Sequence, residues 1–129
     1  MRIGELARAG GTTTKTLRYY ETVALLPAPA RTAAGYRDYD ATTVARLDFI
    51  RRSQAAGLTL AQIREVLQVR DAGTAPCHHV HELLDRRVHE LDRQIADLQA
   101  LRLTVAELRD SASEADPETC NPSTVCRYL

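Results

Sequence analysis

The apolar residues near the start of the chain recur at helical spacing. Ile3, Leu6 and Ala7 stand three and four positions apart, which predicts a short amphipathic helix that ends at the glycine pair 10–11. Three threonines follow and offer N-cap hydroxyls for a second helix over residues 15–22. Two short helices joined across a glycine turn are typical of a helix-turn-helix, although many other helical hairpins share this pattern.

The middle of the chain interrupts the helical pattern and then resumes it. Residues 25–29, Leu-Leu-Pro-Ala-Pro, cannot continue a helix because they include two prolines. Residues 31–37 contain a glycine suited to a tight turn and predict a small β-hairpin, or wing. A helix over residues 41–56, which ends at Gly57, and a helix capped by Thr59 form a second pair. We expect this pair to pack on the first as one small core through Val44, Leu47, Ile50, Leu60, Ile63, Val66 and Leu67.

The longest uninterrupted pattern begins at Cys77. No proline or glycine occurs from there to about Arg109, and apolar residues alternate at steps of four and three, as in a two-stranded coiled coil. The alternative is packing against the chain's own head domain, but a helix of this length overreaches so small a domain. We therefore predict a homodimer. The predicted seam consists of Leu84, Val88, Leu91, Ile95, Leu98 and Val105, with Arg102 at its one polar position.

After Asp110 the heptad pattern stops. The composition of residues 111–117 predicts a loop, which leads to Cys120 and Cys126. The sequence thus predicts a mainly α protein in three parts. They are a winged helix-turn-helix with a second helical pair (1–70), a long coiled-coil dimerisation helix (71–110), and a C-terminal loop and tail (111–129).

The net charge is zero, but the charges are unevenly distributed along the chain. Residues 1–70 carry 11 basic and 6 acidic side chains, a balance of +5, whereas residues 71–129 carry 6 and 11, a balance of −5. We expect an anionic partner for the first part, and chance variation of surface charge is the alternative.

The sequence contains no candidate membrane segment. It has no run of roughly 18 apolar residues, and residues 1–10 lack the apolar stretch of a signal peptide. We therefore expect a cytoplasmic protein with no membrane partner. In a reducing cytosol its three cysteines suit metal binding better than disulfides.

The second predicted helix concentrates cations and phenols. Lys15, Arg18, Tyr19 and Tyr20 lie within about one and a half turns. Lysine and arginine neutralise phosphate or read guanine, and tyrosine hydroxyls donate to phosphate oxygens. Because the second helix of a helix-turn-helix enters the major groove, double-stranded DNA is the predicted partner. The alternative is a solvated basic face with one tyrosine in the core. The predicted wing carries Arg31, Tyr36 and Arg37 at its tip.

A series of motifs resembles the MerR family of winged helix-turn-helix regulators. It covers residues 1 to about 70 without an obvious gap and comprises Ile3-Gly-Glu-Leu-Ala, Thr14-Lys-Thr-Leu-Arg-Tyr-Tyr-Glu, Leu25-Leu-Pro, Arg31 to Arg37 and Gly57-Leu-Thr-Leu. The resemblance implies a dimer that holds a promoter whose spacer is too long for RNA polymerase. It also implies that the effector-bound dimer bends and untwists this DNA until the two promoter elements align. The implied DNA contacts are Lys15, Arg18, Tyr20, Tyr36 and Arg37 first, and Arg31 and Tyr19 next.

The three cysteines are candidate metal ligands. Cys77 lies in the first turn of the long helix, where the helix N-terminus stabilises the thiolate form that binds metal. Cys120 and Cys126 bracket the turn-forming pair Asn121-Pro122 in a C-x5-C loop. Thiolate sites of this kind select soft or borderline ions.

Distance decides whether one chain can join the three cysteines. Helical residues 77–109 span roughly 48 Å, and residues 109–120 reach at most about 40 Å when fully extended. In an antiparallel coiled coil, however, Cys77 of the partner subunit would lie beside the loop. We therefore predict two shared sites per dimer, each with Cys120 and Cys126 of one subunit and Cys77 of the other.

The family resemblance agrees and implies the class of metal. MerR-type metal sensors hold the ion in a C-terminal loop at the end of an antiparallel dimerisation helix. A cysteine at the start of that helix resembles the sensors of divalent zinc, cadmium, lead and mercury, whereas sensors of monovalent ions have serine there. This sequence departs from the family in the loop, because Ala112 stands at the first expected cysteine, Cys120 at the second, and Cys126 beyond it.

Histidines follow Cys77 directly. His81 lies four residues after Cys77, on the same helical face, and is a candidate fourth ligand or part of a second site, together with His78 and His79. Exposed histidines on a charged helix are the alternative.

The sequence therefore predicts a metal-responsive regulator that activates genes of metal resistance or efflux. We find no nucleophile-base set, phosphate-binding loop or paired carboxylates of an enzyme. A regulator that senses redox through an iron–sulfur cluster is one alternative, but it needs four thiolates. A regulator of an organic ligand is another, and the absence of an appended ligand domain weighs against it.

Overall fold

The computed structural model describes residues 1–113, 122, 125 and 126. Within these residues the chain forms five α-helices and one two-stranded sheet, which confirms the predicted mainly α fold. No helix in this part of the chain has the length and apolar character needed to cross a membrane. The elements are α1 (Ile3–Ala9), α2 (Thr14–Thr22), β1 (Ala30–Arg31), β2 (Arg37–Asp38), α3 (Thr42–Ala55), α4 (Leu60–Asp71) and α5 (Cys77–Ser113).

The predicted helix-turn-helix is formed by α1 and α2. α1 ends at Gly10, which is its C-cap. Thr13 is the N-cap of α2, because its hydroxyl accepts a hydrogen bond from the backbone N–H of Thr16 at 3.1 Å. The predicted threonine cap is therefore confirmed.

The predicted wing is a short antiparallel hairpin. Gly35 forms its turn with a φ of +85°, in the left-handed region that favours glycine. Arg31 and Arg37 are partners across the two strands. The sequence analysis placed Arg31, Tyr36 and Arg37 together at the tip, which is wrong for the two arginines: both lie on strands, and Tyr36 alone follows the turn.

The second helical pair is bounded as predicted. α3 ends at its C-cap Ala56, and Gly57 follows with a φ of +90°. Thr59 and Gln62 then form a capping box at the start of α4. The Thr59 hydroxyl accepts from the N–H of Gln62 at 3.2 Å, and the Gln62 side chain accepts from the N–H of Thr59 at 2.9 Å.

The two helical pairs share one core. Five of the seven predicted core positions in α3 and α4 are buried, and Val44 and Leu60 are partly buried against them. α5 also contributes to this core, through Leu83. The buried apolar side chains are Leu6, Ala7, Leu17, Tyr20, Leu25, Leu26, Tyr39, Leu47, Ile50, Leu58, Ile63, Val66, Leu67 and Leu83.

Two arginines tie the helices around this core together. Arg46 of α3 donates from Nε to the carbonyl of Leu25 at 2.7 Å and forms a two-pronged ion pair with Asp71, at 2.9 and 3.1 Å. The hydrogen bonds from Arg46 hold the pKa of the Asp71 carboxyl below its usual range. Arg87 of α5 donates from Nε to the carbonyl of Ala56 at 3.0 Å and so satisfies the C-terminal end of α3.

The chain divides into two compact units, Met1–Arg87 and Val88–Leu129. The first unit contains α1 to α4, the wing and the start of α5. The domain boundaries predicted from the sequence, at residues 70 and 110, stay a prediction. α5 continues to Ser113, so the predicted loop assignment is wrong for residues 111–113. These three residues include neither proline nor glycine, and nothing in them breaks the helix.

Candidate nucleic-acid interface and metal-binding cysteines

α2 separates a buried side from an exposed side. Lys15, Arg18 and Tyr19 are exposed, and the side chain of Tyr19 retains 52% of its accessible surface. Tyr20 retains 8%, and its hydroxyl donates to Oε1 of Gln54 at 3.4 Å. Tyr20 is therefore the tyrosine in the core that the alternative interpretation expected, and Tyr19 is the exposed one. Their predicted order as DNA contacts stays a prediction.

Glu21, which the sequence analysis did not single out, joins α2 to the wing. Its carboxylate pairs with Nε of Arg37 at 3.3 Å and accepts a hydrogen bond from the hydroxyl of Tyr39. Burial, followed by the hydrogen bond with Glu21, raises the pKa of Tyr39 to about 12. The phenol therefore remains a donor at neutral pH. Glu21 ends the family motif on α2, and that position was the available signal.

The wing presents further cations beside an exposed ring. Tyr36 is exposed, and the guanidinium of Arg2 lies over its ring at 4.1 Å from the centroid. Arg31 donates from its guanidinium to the carbonyl of Gly35 at 3.0 Å, which fixes the side chain along the turn. The sequence analysis did not identify Arg2, because one arginine before a helix carries no signal of its own.

α2 and the wing thus belong to one compact unit with exposed cations on both elements. Cations on a rigid support neutralise DNA phosphates and fix the register of a protein on the duplex. Glu21 fixes the wing to α2, so the two elements present their cations from one rigid support. This geometry supports the predicted anionic partner of residues 1–70.

The structure describes two of the three cysteines, Cys77 and Cys126. Cys77 is the first residue of α5, and its thiol is free and exposed. Cys126 is also free and exposed, whereas Cys120 lies outside the described residues. Among residues 1–113, 122, 125 and 126, no group of three or more His, Cys, Asp and Glu side chains is arranged to hold a metal ion.

Two of the candidate histidines contact carboxylates. His78 lies 3.2 Å from Glu82 in an exposed pair one turn apart. Nε2 of His79 lies 3.5 Å from Glu65 of α4, and it is buried with no hydrogen-bond partner in the described part of the chain. His81 is exposed. None of these contacts tests their predicted role as ligands, which stays a prediction.

Comparison with known proteins supports the regulator architecture over nearly the whole chain. A family profile described as "MerR HTH family regulatory protein" matches residues 1–69, and one described as "MerR, DNA binding" matches residues 44–108. Together the two matches run from the first helix to near the end of α5.

Individual relatives match at similar length. The mercuric resistance operon regulatory protein of Bacillus cereus is 39% identical over 113 residues, 88% of this chain and 86% of the relative. The transcriptional regulator ZntR of Escherichia coli is 33% identical over 129 residues, 99% and 89% of the two chains. The crystal structure of the regulator PbrR691 from Ralstonia metallidurans, in complex with lead(II), superposes with a TM-score of 0.78 at 37% identity and covers 93% and 94%.

Proposed function

The chain belongs to the MerR family of helix-turn-helix regulatory proteins, and on this premise we propose that it is a homodimeric, metal-responsive transcriptional activator. The observation that carries the proposal is the pairing of two features in one chain. An exposed set of cations on α2 and the wing suits DNA, and an exposed thiol at the first residue of a 37-residue helix suits a soft metal ion.

The DNA-binding half of the proposal assigns contacts to α2 and the wing. Because their side chains are exposed, we place Lys15, Arg18, Tyr19 and Tyr36 first. Arg31 and Arg37 follow, since the first is held by a carbonyl and the second by Glu21. Tyr20 supports α2 from within the core.

This half is tested with Arg18→Ala and Arg37→Ala, each compared with Arg8→Ala, an exposed arginine on α1. Loss of one phosphate contact should weaken binding to a duplex selected by the protein from a random library. It should also reduce the log–log salt slope by about one unit. Fluorescence anisotropy across a salt series measures both quantities. Affinity and slope equal to those of Arg8→Ala in both variants would show that the DNA-binding face lies elsewhere.

The metal-binding half assigns the ligands Cys77, Cys120 and Cys126. α5 is helical without interruption from Cys77 to Ser113, roughly 54 Å at 1.5 Å per residue. The thirteen residue steps from Ser113 to Cys126 cover at most about 47 Å. The loop cysteines of one chain therefore fall short of its own Cys77, which supports a site completed by Cys77 of the partner subunit across an antiparallel pair of α5 helices.

Cys77 suits this role chemically. Its thiol is exposed at the first residue of α5, where an ion can reach the sulfur. Three cysteine ligands suit a soft or borderline divalent ion such as zinc, cadmium, lead or mercury. A bound ion would join the two subunits at each end of the dimer, and His81, His78 and His79 are the nearest additional donors in sequence.

The proposed transcriptional response to metal follows from the position of the metal ligands on two subunits. A ligand set that spans two subunits constrains one α5 helix against the other, and each α5 is covalently continuous with a DNA-binding unit. We propose that this constraint distorts promoter DNA into the form that RNA polymerase uses, at genes of metal resistance or efflux. The similar proteins named above concern mercuric resistance and lead(II), so they do not favour redox or an organic ligand as the signal.

The shared site is tested with heterodimers. A Cys77→Ser subunit is combined with a Cys120→Ser, Cys126→Ser subunit, so that one of the two sites is complete in each heterodimer. Divalent metal binding should reappear at about one equivalent per heterodimer, whereas both parent homodimers should lack it. Titration with cadmium, followed by thiolate absorbance, measures the stoichiometry. A heterodimer that binds no more tightly than its parents would refute the shared arrangement, and a Cys77→Ser homodimer that binds like wild type would exclude Cys77.

A further inference from the structure

A small notch lies between the start of α1, α2 and the wing, and we propose that it binds one backbone phosphate of the operator with Arg2 as an anchor. The notch has a volume of about 200 Å³. The proposal rests on the DNA-binding function proposed above and adds to it a residue and a ligand position. The side chains that line the notch and carry the argument are Arg2, Arg18, Arg31, Tyr36 and Arg37.

The charge of the notch favours an anion. Four arginines line it, and Glu21 is the one carboxylate that pairs with any of them in the described part of the chain, through Arg37. Arg31 has a neutral partner, the carbonyl of Gly35. Four like charges around one concavity repel one another, and an anion placed among them relieves that repulsion.

Arg2 is held in place for this task. Its guanidinium lies 4.1 Å from the centroid of the Tyr36 ring, an arrangement in which the ring face attracts the cation. Tyr36 in turn follows Gly35, whose turn sets the direction of the ring. A guanidinium fixed on a ring loses little further freedom when its planar fork meets two phosphate oxygens.

The ligand chemistry fits the DNA backbone rather than a base edge. Guanidinium groups are donors without acceptors, so they match a guanine edge or a phosphate, and only the phosphate carries the negative charge that a cluster of cations favours. A phosphate presents acceptors only. A contact of this kind positions the duplex and carries no base preference. Tyr36 is therefore a platform for Arg2 in addition to a DNA contact.

The first test compares Arg2→Ala, at the N-cap of α1, with Arg8→Ala, which removes an exposed charge from α1 itself without touching the notch. On the selected duplex, Arg2→Ala should weaken binding by about tenfold and reduce the log–log salt slope by about 0.9. On a random duplex of equal length the loss should be similar, because the contact is to phosphate. If wild type selects no sequence, the DNA-binding function itself fails. If wild type binds and Arg2→Ala equals Arg8→Ala, the notch proposal alone is overturned.

A second test separates charge from the stacked geometry. Arg2→Lys should restore the salt slope and only part of the affinity, because lysine keeps the charge and lacks the planar fork. In a Tyr36→Ala background, Arg2→Ala should cost less than in wild type, since the platform is already gone. Full affinity in Arg2→Lys would overturn the role given to the planar fork, and equal costs in both backgrounds would overturn the role given to Tyr36. Far-ultraviolet circular dichroism of each variant shows that α1 is retained.

A third test locates the phosphate. Duplexes that carry one neutral methylphosphonate at a time should reveal a position in each half-site where wild type loses affinity and Arg2→Ala does not. Such a position identifies the phosphate bound in the notch. If Arg2→Ala remains as sensitive as wild type at every position, no single phosphate depends on Arg2, and the proposal is wrong.

Discussion

In residues 1–87 the apolar side chains of five helices lie against one another, whereas in the rest of α5 they lie in the open. Leu83 and Leu84 are neighbours in the sequence, yet Leu83 is buried in the first unit and Leu84 is exposed. Farther along α5, Ile95 retains 53% of its accessible surface and Leu98 65%. The first unit therefore completes its core within one chain, whereas residues 88–113 leave their apolar stripe exposed.

The difference indicates how each region is stabilised. Exposed apolar side chains repeated along one helix mark a surface that another element covers. The covering element proposed here is a second copy of α5. On this view, residues 1–87 fold by their own core, and residues 88–113 hold their helix by pairing. Substitutions in the two regions should therefore have different consequences.

The largest effect is expected from a charge in the seam. Ile95→Glu places a carboxylate where two α5 helices meet, and the buried charge should prevent pairing and yield a monomer at micromolar concentration. Multi-angle light scattering measures the mass. Gln94→Glu introduces the same side chain one position away and should remain a dimer. A dimeric Ile95→Glu would show that the exposed stripe is not the seam.

A core substitution should destabilise the chain without changing the dimer. Ile63 of α4 is fully buried, and Ile63→Ala should lower the free energy of unfolding by about 3 kcal/mol through lost burial and the cavity left behind. Leu103→Ala, at an exposed position of α5, should cost less than about 0.5 kcal/mol. Urea denaturation gives both values, and light scattering should show an unchanged mass. Equal losses at the two positions would contradict the contrast between the regions.

The smallest effect concerns pH and is confined to the first unit. The pKa of Tyr39 is about 12 in the folded chain and near 10 when unfolded, so the folded state holds this proton more tightly. The resulting stability is fully present below about pH 10 and is lost as the pH rises towards 12. Between pH 8 and 11 the free energy of unfolding should therefore fall more for wild type than for Tyr39→Phe, which has no proton to lose. Parallel pH profiles of the two proteins would refute the link to Tyr39.

Much of the first unit could be predicted from the sequence because its signals are local. Thr13 and Thr59 cap helices, Gly35 turns the wing, and the spacing of apolar residues located the core of α3 and α4. The contacts that were missed join positions distant in sequence. Glu21 with Tyr39 and Arg87 with Ala56 are examples, and no periodic pattern records such pairs.

The predicted seam of α5 shows what a repeat of fixed spacing leaves open. The predicted pattern placed Arg102 at a polar seam position, between Leu98 and Val105. The structure shows a groove on α5 that Leu98, Leu101, Arg102 and Val105 line together. Leu101 therefore offers an apolar position beside Arg102, and a strict heptad does not choose between the two. The seam stays a prediction.

The sequence predicted which residue types form the candidate site, but not which of the individual side chains are exposed. The sequence identified the cations of α2 and the wing. It could not tell which of Tyr19 and Tyr20 is buried, because adjacent residues on a short helix differ only in the direction in which they leave the helix axis. The metal ligands were chosen by thiolate chemistry and reach. Cys77 is exposed at the start of α5, as a metal ligand must be, and the other ligands that would complete its site remain a proposal.

The contact between Arg87 and the end of α3 limits which sequences this architecture tolerates. A Cβ at Gly57 would overlap Nε of Arg87, and the φ of +90° disfavours any other residue there. A variant with alanine at 57 must both strain its backbone and move the guanidinium from the carbonyl of Ala56. Loss of Arg87 beforehand would remove the second cost and leave the first. Positions 57 and 87 are therefore epistatic, and in a library of random variants replacements of Gly57 should survive more often where Arg87 has already been replaced.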